Sequence, residues 1–311
     1  MATPSPVVVV TGANGLVGAA VCRALADRSA QVRAVVRRAG SAPALDGVTE
    51  HVGDFADEPF ARAVTQDADA VVTTVHPMGS SREEQHRVGA EATPVFARAA
   101  RDAGVARLVH VSTAGVYALA AGVGDMADDG ALLPEGSGDY PDTKNATDAA
   151  LAEVGGLTTV LVRPPAILGA GATSVWNTLR PQAALDGERR ANPARTWPWV
   201  HVDDLAAFIA DVATGAVATA EDPEQGPVAG ATTAVIVAGE PATWRDYLGT
   251  VTGALGVAPE WTDDPVWTGQ LLTDRARRWG WSPRVTLAQA LDELRQGLAG
   301  LRPAGDGEGA R

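Results

Sequence analysis

A tyrosine and a lysine stand four residues apart in GDYPDTKNATD, residues 138–148, as Tyr140 and Lys144. Positions i and i+4 share one face of a helix, so phenol and ammonium could serve one site. A free phenol ionises near pH ~10 and is a poor base at neutrality, but a neighbouring cation favours its phenolate. Such a pair also arises by chance on helix surfaces, so its weight depends on the rest of the chain. Two further clusters bear on it. TGANGLVG, residues 11–18, spaces Gly12, Gly15 and Gly18 three apart. Glycines there allow a tight turn, close approach of the backbone to a pyrophosphate and close helix–strand packing. The free amides of a helix start then attract the phosphates. VHVSTAGVY, residues 109–117, brings the hydroxyls of Ser112 and Thr113 to a strand end.

The elements that must position these groups alternate. VVVVT, QVRAVVRR, VTEHV, ADAVVTTV, VARLVHVST and LTTVLVRP read as six strands. Helices are expected over 16–27, from about 58, over 83–103 and over 142–154, the last two closed by glycine. Strands separated by such helices imply right-handed crossovers and a parallel sheet. Their nearly continuous apolar runs fit strands covered on both faces. The fold class expected is α/β: a Rossmann-type doubly wound parallel sheet with a smaller, mostly helical C-terminal substrate-binding part. Residues 1–165 would form the dinucleotide-binding domain, with returns to the sheet around 199–214 and 231–238. Residues 166–302 would mainly bind substrate, and 303–311 would be a disordered tail. All eight tryptophans lie after residue 175.

Placed after the first strand and opening a helix, the glycine loop reads as dinucleotide-binding. The contacts expected from it are Thr11, Gly12, Asn14, Gly15, Leu16, Val17 and Gly18. The second strand ends in Arg37 and Arg38, where an NAD site usually carries an acid. Two guanidiniums suit a 2′-phosphate, so NADP(H) is the expected cofactor. Asp54, after the third strand, is either an adenine contact or a helix cap.

The net charge of −13 disfavours nucleic acid as a partner. The single cysteine, Cys22, can form no internal disulfide, and the five histidines have no metal-ligand spacing. No basic leader precedes the first valines, and no window approaches a membrane span of ~20 apolar residues. A cytoplasmic location without membrane contact is expected.

In order along the chain, TGANGLVG, GDF, VHVSTAGVY, YPDTK, VRPPAILG, VHVDDLA and ARRWGWSPRVTLAQALDEL resemble the extended short-chain dehydrogenase/reductases, often called NAD-dependent epimerase/dehydratases. The resemblance spans residues 7 to about 298. It implies that Tyr140 is the catalytic acid/base, that Lys144 tunes it and holds the nicotinamide ribose, and that Thr113 hydrogen-bonds the reacting oxygen with Ser112 as its neighbour. Pro164 joins the cofactor contacts. A homodimer through a four-helix bundle is implied by the same analogy.

Two departures stand out. Gly89 occupies the place of an asparagine common early in the long helix. Trp197 stands where sugar-nucleotide members commonly carry a diphosphate-binding arginine, and its indole offers an apolar face instead. Trp176, after the sixth strand, and Ser112 are further candidate substrate contacts, whereas Trp244, Trp279, Trp281, His201, Asp203 and Asp204 read as structural. These residues favour an NADP(H)-dependent carbonyl reductase acting on a fairly apolar ketone or aldehyde, with Tyr140 as general acid. The alternatives are a sugar-nucleotide epimerase, dehydratase or ketoreductase, and a non-catalytic NADP-binding sensor.

Overall fold

The structure, a computed structural model, describes residues 5–77, 79–170, 174–299 and 301; the tail expected over 303–311 lies outside them. The first half runs β1 (Val7–Thr11), α1 (Leu16–Ala26), β2 (Gln31–Val36), β3 (Val48–Val52), α2 (Glu58–Thr65), β4 (Ala70–Thr73), α3 (Arg82–His86), α4 (Thr93–Asp102), β5 (Arg107–Val111), α5 (Asp139–Ala152) and β6 (Thr158–Arg163). There follow β7 (Ala166–Leu168), α6 (Arg180–Leu185), β8 (Arg190–Ala191), β9 (Trp199–His201), α7 (Val202–Thr214), β10 (Thr232–Ile236), α8 (Trp244–Leu255), β11 (Glu260–Trp261), α9 (Asp274–Arg278) and α10 (Leu287–Leu298).

Seven parallel strands form one sheet in the order β10-β6-β5-β4-β1-β2-β3. The order reverses between β1 and β4, which opens a crevice at the carboxyl ends of those strands, where α/β ligands bind. Alternation along the strands feeds two cores. Val8 and Val10 join the α1 and α7 side, while Val9, Val71 and Leu108 join the α2, α4 and α5 side. This is the Rossmann-type sheet expected, with a helical C-terminal region. A third core joins α6, α8 and α10 to the two-stranded pair β7–β9. β10 adds an edge strand beside β6, and α7 packs on α1.

The helix expected over 83–103 is divided by a π-helical turn, Arg87–Ala92, between α3 and α4. Thr93 Oγ1 donates to the Val88 carbonyl five residues back, at 2.9 Å. Gly89 explains the divergence from the family pattern. A Cβ there would come within 2.5 Å of Thr147 Oγ1 on α5, so the helices cross too closely for an asparagine. α5 itself starts at Asp139, three residues before the expected start, and takes Pro141 into its first turn, where the missing N–H has no cost. Among the described residues no helix is long and apolar enough to cross a membrane.

Candidate active site

The glycine loop is built for close approach. Gly12 has φ +69°, and a Cβ there would lie 2.7 Å from Thr74 Oγ1. A Cβ on Gly18 would come within 2.1 Å of the Gly12 carbonyl oxygen. Thr74 Oγ1 donates to the Thr11 carbonyl at 2.8 Å and ties β4 to the loop. Gly12, Asn14 and Gly15 line a cleft that continues to Arg37, Arg38 and Asp54. Leu16 and Val17 begin α1 and pack half-buried on the core, and Gly18 is buried. The cradle, the free helix start and the cleft fit a dinucleotide.

Asp54 closes the turn before α2 by accepting from Ala56 N at 3.0 Å, while the N-cap of α2 is Asp57, and Asp54 also lines the cleft. Arg37 and Arg38 are exposed at the cleft edge. They are not alone there. Glu84 and Arg87, an ion pair at 2.7 Å, reach the same cleft from the α3 side. Arg87 holds the Glu84 carboxyl below its ordinary range, and Arg37 adds to that pull. Glu84 is taken up by Arg87, so the cleft edge keeps a net positive charge, with Arg37, Arg38 and Arg87 against Asp54 and Glu84.

At the other end, the C-terminal tips of β5 and β6 meet α5. Lys144 is buried, and its Nζ donates to the Val111 carbonyl at 3.0 Å. Burial pulls its pKa from 10.5 down to about 8, while Asp148 opposes the fall. Tyr140 sits one turn earlier and half-buried. Burial pushes its phenol above the ordinary value, the Thr113 hydroxyl draws it down, and Asp148 adds to the rise. The net shift is upward, not the lowering expected of a neighbouring ammonium: desolvation dominates, and the group that draws the phenol down is Thr113, not Lys144. Thr113 Oγ1 accepts from Gly115 N at 3.0 Å and faces the Pro164 carbonyl at 3.5 Å. Pro164 fixes this turn by accepting from Ala114 N at 2.9 Å. Thr113, Tyr140 and Lys144 are thus brought together.

Ser112 is committed elsewhere. Its hydroxyl donates to Asp148 Oδ2 at 2.9 Å, and Arg163 closes a buried ion pair with the same oxygen at 3.0 Å. Trp197 is only 2% exposed, stacked on Tyr247 with centroids 4.2 Å apart and edge-on to Trp176 at 5.5 Å. Trp176 is half-buried in the same cluster, and its carbonyl accepts from the Tyr247 hydroxyl at 2.7 Å. His201 caps α7, and Asp204 Oδ2 accepts from Arg284 N and Val285 N, both at 3.0 Å. Sequence reasoning missed Thr74, His76, Glu84 and Arg87, which line the cleft, and the Asp148–Arg163 pair beneath Lys144.

A profile of the NAD dependent epimerase/dehydratase family matches residues 8–225. The chain is 34% identical to sterol demethylase protein B of Methylococcus capsulatus over 168 residues, which is 51% of each chain. It is 29% identical over 96% of its length, and 97% of the relative, to the 4-hydroxy-2-methyl-3-oxo-4-farnesyl-3,4-dihydroquinoline-1-oxide ketoreductase of Stigmatella aurantiaca. A dTDP-glucose 4,6-dehydratase from Streptomyces venezuelae, solved with NAD, superposes with a TM-score of 0.73 at 21% identity, covering 94% of this chain and 96% of that one.

These likenesses correct the expected NADP(H)-dependent carbonyl reductase. NAD is the dinucleotide in that dehydratase and in further solved relatives of the fold. Arg37 and Arg38 are exposed at the cleft edge, and two exposed guanidiniums there do not by themselves select a 2′-phosphate. The apolar-ketone reading rested on the Trp197 indole facing substrate. That ring is instead consumed by core packing.

Proposed function

We propose that this chain, which belongs to the NAD dependent epimerase/dehydratase family, is an NAD(H)-dependent enzyme acting on a nucleotide-linked sugar as an epimerase, dehydratase or ketoreductase. The observation that carries the reading is Tyr140 beside the buried Lys144 and Thr113, at the end of a cleft opened by the glycine loop. The dTDP-glucose 4,6-dehydratase relative supports the sugar-nucleotide class, and the ketoreductase relative supports redox chemistry at carbon. When bound, NAD supplies an acceptor that takes a hydride from carbon and can give it back.

The residues do the rest. Thr113 hydrogen-bonds the reacting oxygen and fixes its distance from the phenol. Tyr140 takes the hydroxyl proton as carbon is oxidised and returns it on reduction, in general base and then acid roles. Lys144, pinned by Val111, holds the nicotinamide ribose and a positive charge that favours phenolate during transfer. Gly12, Gly15 and Gly18 let the backbone approach the pyrophosphate, with Asn14 beside them. Residues 1–165, with 199–214 and 231–238, form the dinucleotide part, and 166–302 mainly the substrate part. The reading includes a cytoplasmic homodimer.

Conversion of dTDP-glucose by the NAD+-loaded protein, followed by NMR of the sugar, tests it. Tyr140→Phe should slow conversion by about 100-fold or more. An unchanged rate in that variant would sink the assignment.

A further inference from the structure

Lys144 is the only lysine in the chain, against 24 arginines. Arginine keeps its charge in proteins, whereas a buried lysine can lose its proton. The one cation that burial can discharge in this way therefore stands in the candidate site. Beneath it lies an acid with no part in the chemistry described above. Asp148 follows Lys144 by one turn of α5, on the same face, and both are 5% exposed. All its bonds fall on Oδ2, from the Ser112 hydroxyl at 2.9 Å, Arg163 Nη2 at 3.0 Å and Arg163 Nε at 3.3 Å. Its Oδ1 is buried and has no hydrogen-bond partner among the described residues. Burial raises the carboxyl above its ordinary value, and Arg163 leads the groups that draw it down. A guanidinium at that distance holds it as a carboxylate. Two buried cations thus share one anion.

The contacts close a ring. Lys144 Nζ donates to the Val111 carbonyl at 3.0 Å, the next residue, Ser112, donates to Asp148, and one turn of α5 leads back to Lys144. Ser112 N also donates to the Val162 carbonyl at 2.8 Å, next to Arg163 on β6. One carboxylate therefore fastens the tips of β5 and β6 to α5 around the ammonium. The other ionisable groups that act here add no negative charge. His76 after β4 and His110 on β5 are kept neutral by burial and by the charge of Lys144. Burial likewise keeps the Tyr140 phenol protonated. Against the burial that discharges Lys144, the opposing pull comes from Asp148. We propose that Asp148 is a positioning residue, whose carboxylate, held by Arg163 and Ser112, keeps Lys144 charged and fixed against β5. Its part in the reaction rests on the roles given to Tyr140 and Lys144 under the proposed function.

Isotope labelling of lysine gives a single side-chain signal, so NMR reads the titration of Lys144 directly. The wild type should titrate at about pH 8. Asp148→Asn keeps the size, removes the charge and should lower the midpoint by about 1 pH unit or more. Loosened packing would do the opposite and move it up towards 10.5. Arg163→Met frees the carboxylate for Lys144 and should raise the midpoint. Should Asp148→Asn fail to fold, the double variant with Arg163→Met leaves no unpaired guanidinium. It must titrate below Arg163→Met alone. A midpoint unchanged or raised by loss of the carboxylate overturns the role of Asp148. The alkaline edge of dTDP-glucose conversion should move to lower pH together with the lysine. A lysine that shifts while that edge stays put overturns the part of Asp148 in the reaction. A wild type whose lysine titrates as stated, but which converts no nucleotide-linked sugar, overturns the functional reading and leaves the coupling of Asp148 to Lys144 standing.

Discussion

Replacing Lys144 with methionine should make the protein more stable at neutral pH while stopping its chemistry. The ammonium is buried against β5 and α5, and its pKa falls from 10.5 to about 8. A displacement of that size corresponds to about 3 kcal/mol of unfavourable burial of the charged form. Methionine matches the apolar stem and carries no charge. The substitution also leaves the Val111 carbonyl without the donor now 3.0 Å away, a loss of about 1 kcal/mol. Asp148 keeps Arg163 at 3.0 Å. The net expectation is a gain of about 1–2 kcal/mol at pH 7. The pH dependence gives the sharper signature. Below pH 8 both folded and unfolded wild-type chains hold the proton, and the folded state bears the whole burial cost. Between pH 8 and 10.5 the unfolded lysine stays protonated while the folded one releases its proton. Wild-type stability therefore rises across that window, and the advantage of the variant shrinks and reverses. Urea denaturation of both proteins at pH 7 and pH 10 reads this directly. A variant less stable at pH 7, with the same gap at pH 10, would refute the buried-charge account.

Other perturbations have equally definite outcomes. Gly18→Ala drives a methyl to within 2.1 Å of the Gly12 carbonyl oxygen, so it should abolish NADH binding and lower stability by about 1–3 kcal/mol, read by titration and thermal melting. Trp197→Ala removes a ring that is 2% exposed and stacked on Tyr247, and should cost about 3–5 kcal/mol in denaturant unfolding. Changing Arg37 and Arg38 together to Ala should move NADH affinity by less than about 3-fold, since exposed charges contribute little. NADPH affinity tenfold above that for NADH in the wild type would contradict the NAD reading.

What could be read from the chain followed from local geometry. Gly12, Gly15 and Gly18 have a backbone requirement that their spacing exposes, and Tyr140 and Lys144 share a helix face whatever the tertiary fold. The parallel sheet followed from apolar runs and helix-length spacers; its strand order did not, since β10 returns beside β6 only after the stretch from β7 to α7. What was missed depends on elements far apart in sequence. Glu84 and Arg87 reach the arginine pair only after α3 packs over the cleft. Trp197 occupies a position where family members carry a charge, but position does not fix direction, and Tyr247 and Trp176 draw the ring inward. Gly89 is dictated by its distance from Thr147, which no spacing predicts. His76 had one available signal. It is the first charged-type side chain after β4, and strand ends of a parallel sheet point into the ligand crevice. Asp148 likewise lies four residues after Lys144, on the face that α5 turns inward.

The central claim is that hydride leaves and re-enters a nucleotide-linked sugar through NAD held beside Tyr140. The most direct measurement is incubation of the NAD+-loaded protein with dTDP-glucose carrying deuterium on the carbon to be oxidised, followed by mass spectrometry and NMR of the product. The account predicts a converted sugar that retains the deuterium, with no lasting NADH absorbance, or its transfer to NAD when a ketoreductase runs toward oxidation. An untouched sugar, from a protein that oxidises NADPH with simple ketones, would contradict it.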